Sequence, residues 1–314
     1  MISRFEDVLK QQDLSYRTNI STATLCSFRI GGLAPIVIEP LCLHELIRAV
    51  ELCDDAGVPF SVIGKGSNVL FDDSPLDRVL IRTVKLDAIQ AMGNGELRVL
   101  CGTALPALVV KAARQGLAGF TWAAGIPGTV GGGIWMNAGA YGKSMENAVK
   151  SVEIFDRKER KIKTLFNKEL GFSYRNSRFQ SDNCLILSAV LAVTPNADFQ
   201  ELQREINRYQ KYRRDTQPLE YPNAGSTFRR PSPERPLAPI LEELGLKGMT
   251  VGGASISHKH AGFIVNAGNA TAADVRRLIF EIQNIVERER GFRPIPEICM
   301  IPQKHYELFA DTQK

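Results

Sequence analysis

Gly125-Ile126-Pro127-Gly128-Thr129-Val130-Gly131-Gly132-Gly133-Ile134-Trp135-Met136-Asn137-Ala138-Gly139 carries six glycines in fifteen residues. Glycine loses the most entropy on ordering and packs no side chain, so this run reads neither as an ordinary helix nor as an ordinary strand. Something approaches its backbone closely. Uncovered amide N–H groups in such a run form concavities that take phosphate and pyrophosphate; the competing reading of an isolated cluster is a set of tight turns. A second cluster, Gly64-Lys65-Gly66-Ser67-Asn68, follows directly on Val58-Pro59-Phe60-Ser61-Val62-Ile63, which reads as a short buried strand. Two such loops point to one long phosphate-bearing ligand.

Several common chemistries are excluded. No G-x-G-x-x-G follows a strand, because Gly64 and Gly66 lead to Val69, and no G-x-x-x-x-G-K-[ST] occurs, so neither a Rossmann dinucleotide site nor a P-loop is expected. The six cysteines (Cys26, Cys42, Cys53, Cys101, Cys184 and Cys299) are scattered without a C-x-x-C and read as buried reduced thiols. His258 and His260 form an H-x-H pair with no neighbouring acid or thiol to complete a metal set, so no metal is expected. Ser226 lacks the G-x-S-x-G elbow of a hydrolase nucleophile. The 39 basic and 34 acidic residues give a formal charge of +5, too mixed to imply nucleic acid. Arg204 to Arg214 is the most basic stretch and, with Glu205 interspersed, reads as a solvated helix face, the competing reading being that some of its cations face an anionic ligand. The longest apolar stretch, Leu185 to Val193 interrupted by Ser188, is too short for a bilayer, and the N-terminus lacks a basic-then-apolar signal. The expectation is a cytoplasmic monomer acting on small molecules, with no membrane partner.

Length and a 44% hydrophobic content allow two or three domains. Periodicity predicts helices over 41–56, 105–115, 203–214 and 274–290, the last capped by Thr271 and Gly291. Strands are predicted at 58–63, 79–81, 97–100, 152–155 and 185–187. Pro218, Pro222, Pro231, Pro233, Pro236 and Pro239 mark a composition shift and a boundary near residue 200.

Taken in order, Ser27-Phe28-Arg29-Ile30-Gly31-Gly32, Gly64 to Leu70, Gly125 to Gly139, Tyr174-Arg175-Asn176-Ser177, Pro222-Asn223-Ala224-Gly225-Ser226-Thr227-Phe228 and Pro296-Glu297 resemble the UDP-N-acetylenolpyruvoylglucosamine reductases. The resemblance spans nearly the whole chain. It implies an α+β fold: a FAD-binding domain of the vanillyl-alcohol-oxidase/PCMH type over 1–199, with subdomains of about 1–82 and 83–199, and an α+β substrate domain over 200–314. It also implies FAD as cofactor, NADPH as co-substrate and a role in peptidoglycan synthesis. No histidine lies between Ser61 and Pro75 to attach a flavin covalently, so dissociable FAD is expected. The implied cofactor contacts are Ile30, Gly31, Gly64, Lys65, Gly66, Ser67 and Asn68 from the early segments. From the main glycine run and its end come Gly125, Pro127, Gly128, Thr129, Gly132, Asn137, Gly139 and Ala140.

The same resemblance assigns three catalytic groups. An enolpyruvyl ether accepts hydride poorly unless its carboxylate is polarised, so a cation and an acid must stabilise the enolate-like species while a proton reaches C2. Arg175 matches the cation, with a guanidinium able to grip a carboxylate by two parallel bonds; alone it would read as a surface ion pair. Glu297 matches the acid, its approach fixed by Pro294 and Pro296; alone it would read as a structural salt bridge. Ser226 matches the proton donor, although a hydroxyl needs neighbours to stabilise its anion, and a Gly-Ser pair is otherwise only a turn. Phe179-Gln180-Ser181-Asp182-Asn183 passes straight into the next strand, which resembles the shorter branch of the family lacking a tyrosine loop. Arg230 stands where the other branch has asparagine. Arg229, Arg230, Lys259 and His260 are candidate substrate contacts, because two phosphates need cations, with a solvated surface charge as the competing reading of each; Tyr174 is a further candidate. The alternatives are a flavin oxidase of alcohols or hydroxy acids, and a non-catalytic binding module.

Overall fold

The computed structural model describes residues 2–12, 14–232 and 235–302; Pro233 of the composition shift lies outside the described residues. In chain order the strands are β1 Tyr16–Ser21, β2 Leu33–Ile38, β3 Phe60–Ile63, β4 Val69–Phe71, β5 Val79–Arg82, β6 Ile89–Gly93, β7 Glu96–Leu100, β8 Gly139–Ala140, β9 Lys143–Ser144, β10 Val149–Asp156, β11 Lys161–Phe166, β12 Cys184–Ala192, β13 Thr250–Val251, β14 Ala254–Ile256, β15 Ile264–Asn266 and β16 Cys299–Ile301. The helices are α1 Ile2–Lys10, α2 Leu43–Asp55, α3 Leu105–Arg114, α4 Val130–Trp135, α5 Met145–Ala148, α6 Phe199–Thr216, α7 Leu237–Glu243 and α8 Ala272–Arg290.

Contacts divide the chain into two compact units, one of Met1–Arg17, Val37–Lys65 and Val79–Arg213, the other of Thr18–Ile36, Gly66–Arg78 and Arg214–Lys314. The first is built on an antiparallel sheet ordered β11-β10-β12-β7-β6. Its central strand β12 is an apolar run, with Leu187, Ala189 and Leu191 almost wholly buried, and α4 packs on β12 and β7. The apolar face of α2, from Leu46, Ala49, Val50 and Cys53, is buried as its spacing predicts.

In the second unit β13-β14-β15 form an antiparallel sheet against α8, and β16 pairs in parallel with β4 in the register Cys299↔Val69 to Ile301↔Phe71. The caps of α8 are as predicted. Thr271 and Asp274 form a reciprocal capping box, and Gly291 takes the left-handed φ of +74° that ends the helix at no Cβ penalty.

Four readings need correction. Phe60–Ile63 is a strand but not a buried one: Val62 is 38% exposed, because β3 is the edge of its sheet and pairs only with β5. The glycine run does contain a helix, α4, where Gly131 and Gly133 pack tightly against neighbouring side chains. A Cβ on Gly131 would stand 3.0 Å from Cys101 Cβ, and one on Gly133 3.1 Å from Leu105 Cδ1. The basic stretch is not wholly solvated, since Arg213 is drawn inward against Gly125. Of the cysteines, Cys26, Cys53 and Cys101 are buried, but Cys42 is exposed at the start of α2, and Cys184 and Cys299 are half-buried.

Candidate active site

The two glycine clusters meet in the first unit. Gly64 follows β3 directly, and a Cβ there would fall 2.3 Å from Thr129 Oγ1, so glycine leaves the room that the threonine side chain occupies. Thr129 is buried and caps α4, its Oγ1 accepting the Gly132 N–H at 3.3 Å. A pair of loops drawn together with only the Thr129 side chain facing Gly64 fits a diphosphate chain. The N–H groups of Val130, Gly131 and Gly133 do not serve that purpose: they donate to the carbonyls of Thr103, Cys101 and Thr129 at 2.8 Å each. These amides hold α4 in place, and Pro127 stands exposed at the lip.

The far end of the run carries the Arg175 segment. Ser173 and Asn176 exchange both backbone hydrogen bonds at 3.1 Å, leaving Tyr174 and Arg175 at the tip of a tight turn. Arg175 has φ +54°, a left-handed backbone that costs a side-chain-bearing residue roughly 1–2 kcal/mol. Strain of this kind concentrates at functional positions. Its Nη2 donates to the Gly139 carbonyl at 3.1 Å, and its guanidinium carbon lies 5.2 Å from the centre of the half-exposed Tyr174 ring. Buried Asn137 donates from Nδ2 to the Ser173 carbonyl at 2.9 Å and accepts the Glu146 N–H on Oδ1 at 3.0 Å, while Ser177 Oγ donates to the Trp135 carbonyl at 2.7 Å. The arginine turn and the glycine run are thus one hydrogen-bonded body.

The second unit brings Ser226 and Glu297 together. Glu297 N–H donates to the Thr227 carbonyl at 2.8 Å, Arg229 N–H to the Ile295 carbonyl at 2.9 Å, and Phe228 bridges Pro296 antiparallel. Ser226 is exposed, on a turn where Gly225 takes φ +81°. Asn223 shapes that turn: its Oδ1 accepts the Gly225 N–H at 2.9 Å and its Nδ2 donates to the Tyr221 carbonyl at 2.8 Å. Ser27 ties the turn to the early loop, with Oγ donating to the Asn223 carbonyl at 2.7 Å and N–H to the Gly66 carbonyl at 3.2 Å. Gly66 itself admits no Cβ, which would lie 2.3 Å from the Leu25 carbonyl, and Gly31 none, with Thr22 Oγ1 at 2.1 Å from the built position. Beside Glu297, burial and the carboxylate's own charge push the Cys299 thiol up to about 11, so it stays a neutral thiol.

The cationic candidates divide. Arg229 Nε is buried without a hydrogen-bond partner, a donor that suits an anion brought by a ligand. Lys259 Nζ donates to the Arg214 carbonyl at 2.6 Å and stands 3.8 Å from Glu220. His260 Nδ1 accepts the Gly262 N–H at 3.1 Å, and burial lowers its pKa, which favours the neutral ring. Arg230 is exposed.

Sequence reading left the positions of Arg213, Tyr141, Ser27 and Asn223 unassigned. Arg213 Cδ lies 3.1 Å from the position a Gly125 Cβ would take, and Tyr141 stacks on Tyr209 at 4.2 Å in the same unit. Ser27 and Asn223 hold the serine turn. Only Asn223, an Asx residue two before a glycine, carried a local signal. Among the described residues no group of His, Cys, Asp and Glu is placed to hold a metal ion, and no helix is long and apolar enough to cross a membrane.

Comparison with known proteins gives the arrangement a lineage. Residues 34–164 match the FAD binding domain model, and residues 217–301 the model of the UDP-N-acetylenolpyruvoylglucosamine reductase C-terminal domain. The reductase of that name from Caldicellulosiruptor bescii is 38% identical over 308 residues, covering 98% of this chain and 97% of its own. The one from Synechococcus sp. (strain CC9311) is 39% identical over 284 residues, covering 89% and 91%. The crystal structure of the Thermus caldophilus reductase superposes with a TM-score of 0.78 at 30% identity, covering 91% of this chain and 99% of that one. The fold is therefore α+β, a FAD-binding domain of the PCMH type followed by the reductase C-terminal domain, and the protein is a FAD-dependent oxidoreductase acting on small molecules. With near-full-length relatives at 38% identity and a match to the reductase C-terminal model, this chain, whose glycine loops meet at Gly64 and Thr129, belongs to the UDP-N-acetylenolpyruvoylglucosamine reductase family.

Proposed function

We propose that this protein reduces UDP-N-acetylglucosamine enolpyruvate to UDP-N-acetylmuramate with NADPH, a cytoplasmic step of peptidoglycan synthesis carried out by a monomer. The observation that carries the reading is the ladder that sets Glu297 against Thr227, beside the exposed Ser226 hydroxyl. Non-covalently bound FAD, once reduced by NADPH, would supply the hydride for C3 of the enolpyruvyl group. Everything else falls to the protein's own side chains. Arg175, at the tip of its turn, grips the substrate carboxylate, and Glu297 hydrogen-bonds the enolate-like oxygen as charge develops there. Ser226 delivers the proton to C2, so that hydride and proton together saturate the double bond. Solvent replaces the serine proton.

The residues proposed to hold the cofactor are Ile30, Gly31, Gly64, Lys65, Gly66, Ser67, the main chain of Asn68, Gly125, Pro127, Gly128, Thr129, Gly132, Asn137, Gly139 and Ala140. The proposed division of labour gives 1–199 to FAD and 200–314 to the sugar nucleotide. Tyr174, Arg229, Arg230, Lys259 and His260 are the proposed substrate contacts, with Arg229 the strongest because its Nε lacks a protein partner. The test is an absorbance measurement: purified protein carries flavin released by denaturation, and the rate at which it consumes NADPH rises sharply on adding the enolpyruvyl sugar nucleotide. Consumption of oxygen with an alcohol substrate instead would give the site to an oxidase.

A further inference from the structure

Glu297 is held by its backbone from two sides. Its N–H is fixed by the Thr227 carbonyl at 2.8 Å. Its carbonyl accepts a hydrogen bond from the side chain of Asn68, whose Nδ2 lies 3.1 Å away and also reaches Cys299 Sγ at 3.8 Å. Asn68 closes the clamp from its own main chain, where its carbonyl accepts the Cys299 N–H at 3.0 Å. The amide orientation is dictated by this network, because the flipped side chain would set two carbonyl oxygens 3.1 Å apart. Both amide hydrogens are therefore engaged within the protein, on the segment that carries Glu297.

The position of Asn68 explains why an asparagine is needed there. The β4–β16 ladder begins at Val69↔Cys299, one residue after Asn68 and two after Glu297, so regular pairing stops short of the glutamate. A side chain that extends the ladder by one bond reaches the residue that the backbone alone does not. We propose that Asn68 is a positioning residue for Glu297, fixing the acid at the head of β16, rather than a side-chain ligand of the cofactor. This rests on the reading of Glu297 given above.

Positioning of Glu297 matters only when the enolpyruvyl carboxylate is being polarised. Reduction of the flavin by NADPH does not call on the acid. The test is stopped-flow absorbance on the FAD-loaded protein, following flavin reduction by NADPH and flavin reoxidation by UDP-N-acetylglucosamine enolpyruvate separately. Misplacing a reacting group by about an ångström costs up to about 100-fold, so Asn68→Leu is expected to slow reoxidation by about 10- to 100-fold and to slow flavin reduction far less. Glu297→Gln is expected to slow the same step, and the double variant to be no slower than Glu297→Gln alone, since both changes act through one group. Hydrogen exchange at the Cys299 amide is expected to quicken in Asn68→Leu. If the leucine variant does not fold with FAD bound, Asn68→Asp keeps the shape, replaces the donor by an acceptor and is expected to show the same selective slowing.

Equal slowing of both steps, or slowing that multiplies in the double variant, overturns the inference. So does Glu297→Gln slow with Asn68→Leu at the parent rate, which leaves the reading of Glu297 standing. Glu297→Gln reoxidising at the parent rate overturns that reading and the inference with it.

Discussion

Replacing Gly64 by alanine probes the closest approach in the cofactor cradle. The new methyl would lie 2.3 Å from Thr129 Oγ1, 3.0 Å from its Cγ2 and 3.2 Å from its Cβ, whereas unstrained carbon contacts begin near 3.5 Å. Thr129 has little room to yield, being 1% exposed and bonded to the Gly132 N–H. Overpacking of this sort costs about 1–3 kcal/mol. Removing the threonine side chain in Thr129→Ala costs about 1 kcal/mol through the lost cap. Simple addition would give about 2–4 kcal/mol for the pair. The double variant, however, removes both atoms that the methyl strikes hardest and leaves only a 3.2 Å contact. Its loss is expected to be about 1–2 kcal/mol below the sum, within the range seen for residues in contact. Urea unfolding of the four proteins stripped of FAD measures the cycle, and flavin absorbance per chain measures the cradle, which Gly64→Ala is expected to empty. A strictly additive cycle, or Gly64→Ala at parent stability with full flavin, refutes the claim that the Thr129 side chain packs directly on Gly64.

Ser226→Ala is expected to lower single-turnover reduction of the enolpyruvyl substrate by about 10²–10⁴-fold while flavin content is kept. Undiminished turnover removes the serine from proton delivery. Asn137→Ala breaks two bonds made by a buried amide, to Ser173 and from Glu146. At about 1–2 kcal/mol each, the expected loss in denaturant unfolding is about 2–4 kcal/mol, and a change under about 0.5 would show that the arginine turn is held otherwise. Burial lowers the His260 pKa, so the folded chain takes up this proton at a lower pH than the unfolded chain does. As pH falls through about 6.5 the unfolded state binds more protons, and this part of the stability is lost progressively down to the folded value. His260→Asn is expected to flatten the stability curve there; an unchanged slope would give the pH dependence to other groups.

Local signals in the sequence were sufficient where the physics is local. Thr271 and Gly291 bound α8 because a capping box and a left-handed C-terminus each involve neighbours in the chain. The edge status of β3 is set by the strands that pair beside it, and an apolar run carries no record of that. The glycines of α4 were legible as a close approach, but the partners they admit, Cys101 and Leu105, come from other segments. Serine and glutamate were each recognisable in their own motif. Their union through Thr227 and Glu297, and the clamp from Asn68, are properties of pairings between distant segments. Arg213 looks like one more cation on a basic helix until the fold sets it against Gly125.

The central claim is that this chain couples NADPH to the enolpyruvyl ether through bound flavin. Its most direct test is an anaerobic assay of NADPH oxidation at 340 nm, about the usual nicotinamide band, with product mass measured in the same sample. Oxidation that requires UDP-N-acetylglucosamine enolpyruvate and yields one UDP-N-acetylmuramate per NADPH is the predicted result. Oxidation that proceeds equally without the sugar nucleotide, or flavin that never turns over in its presence, would contradict it.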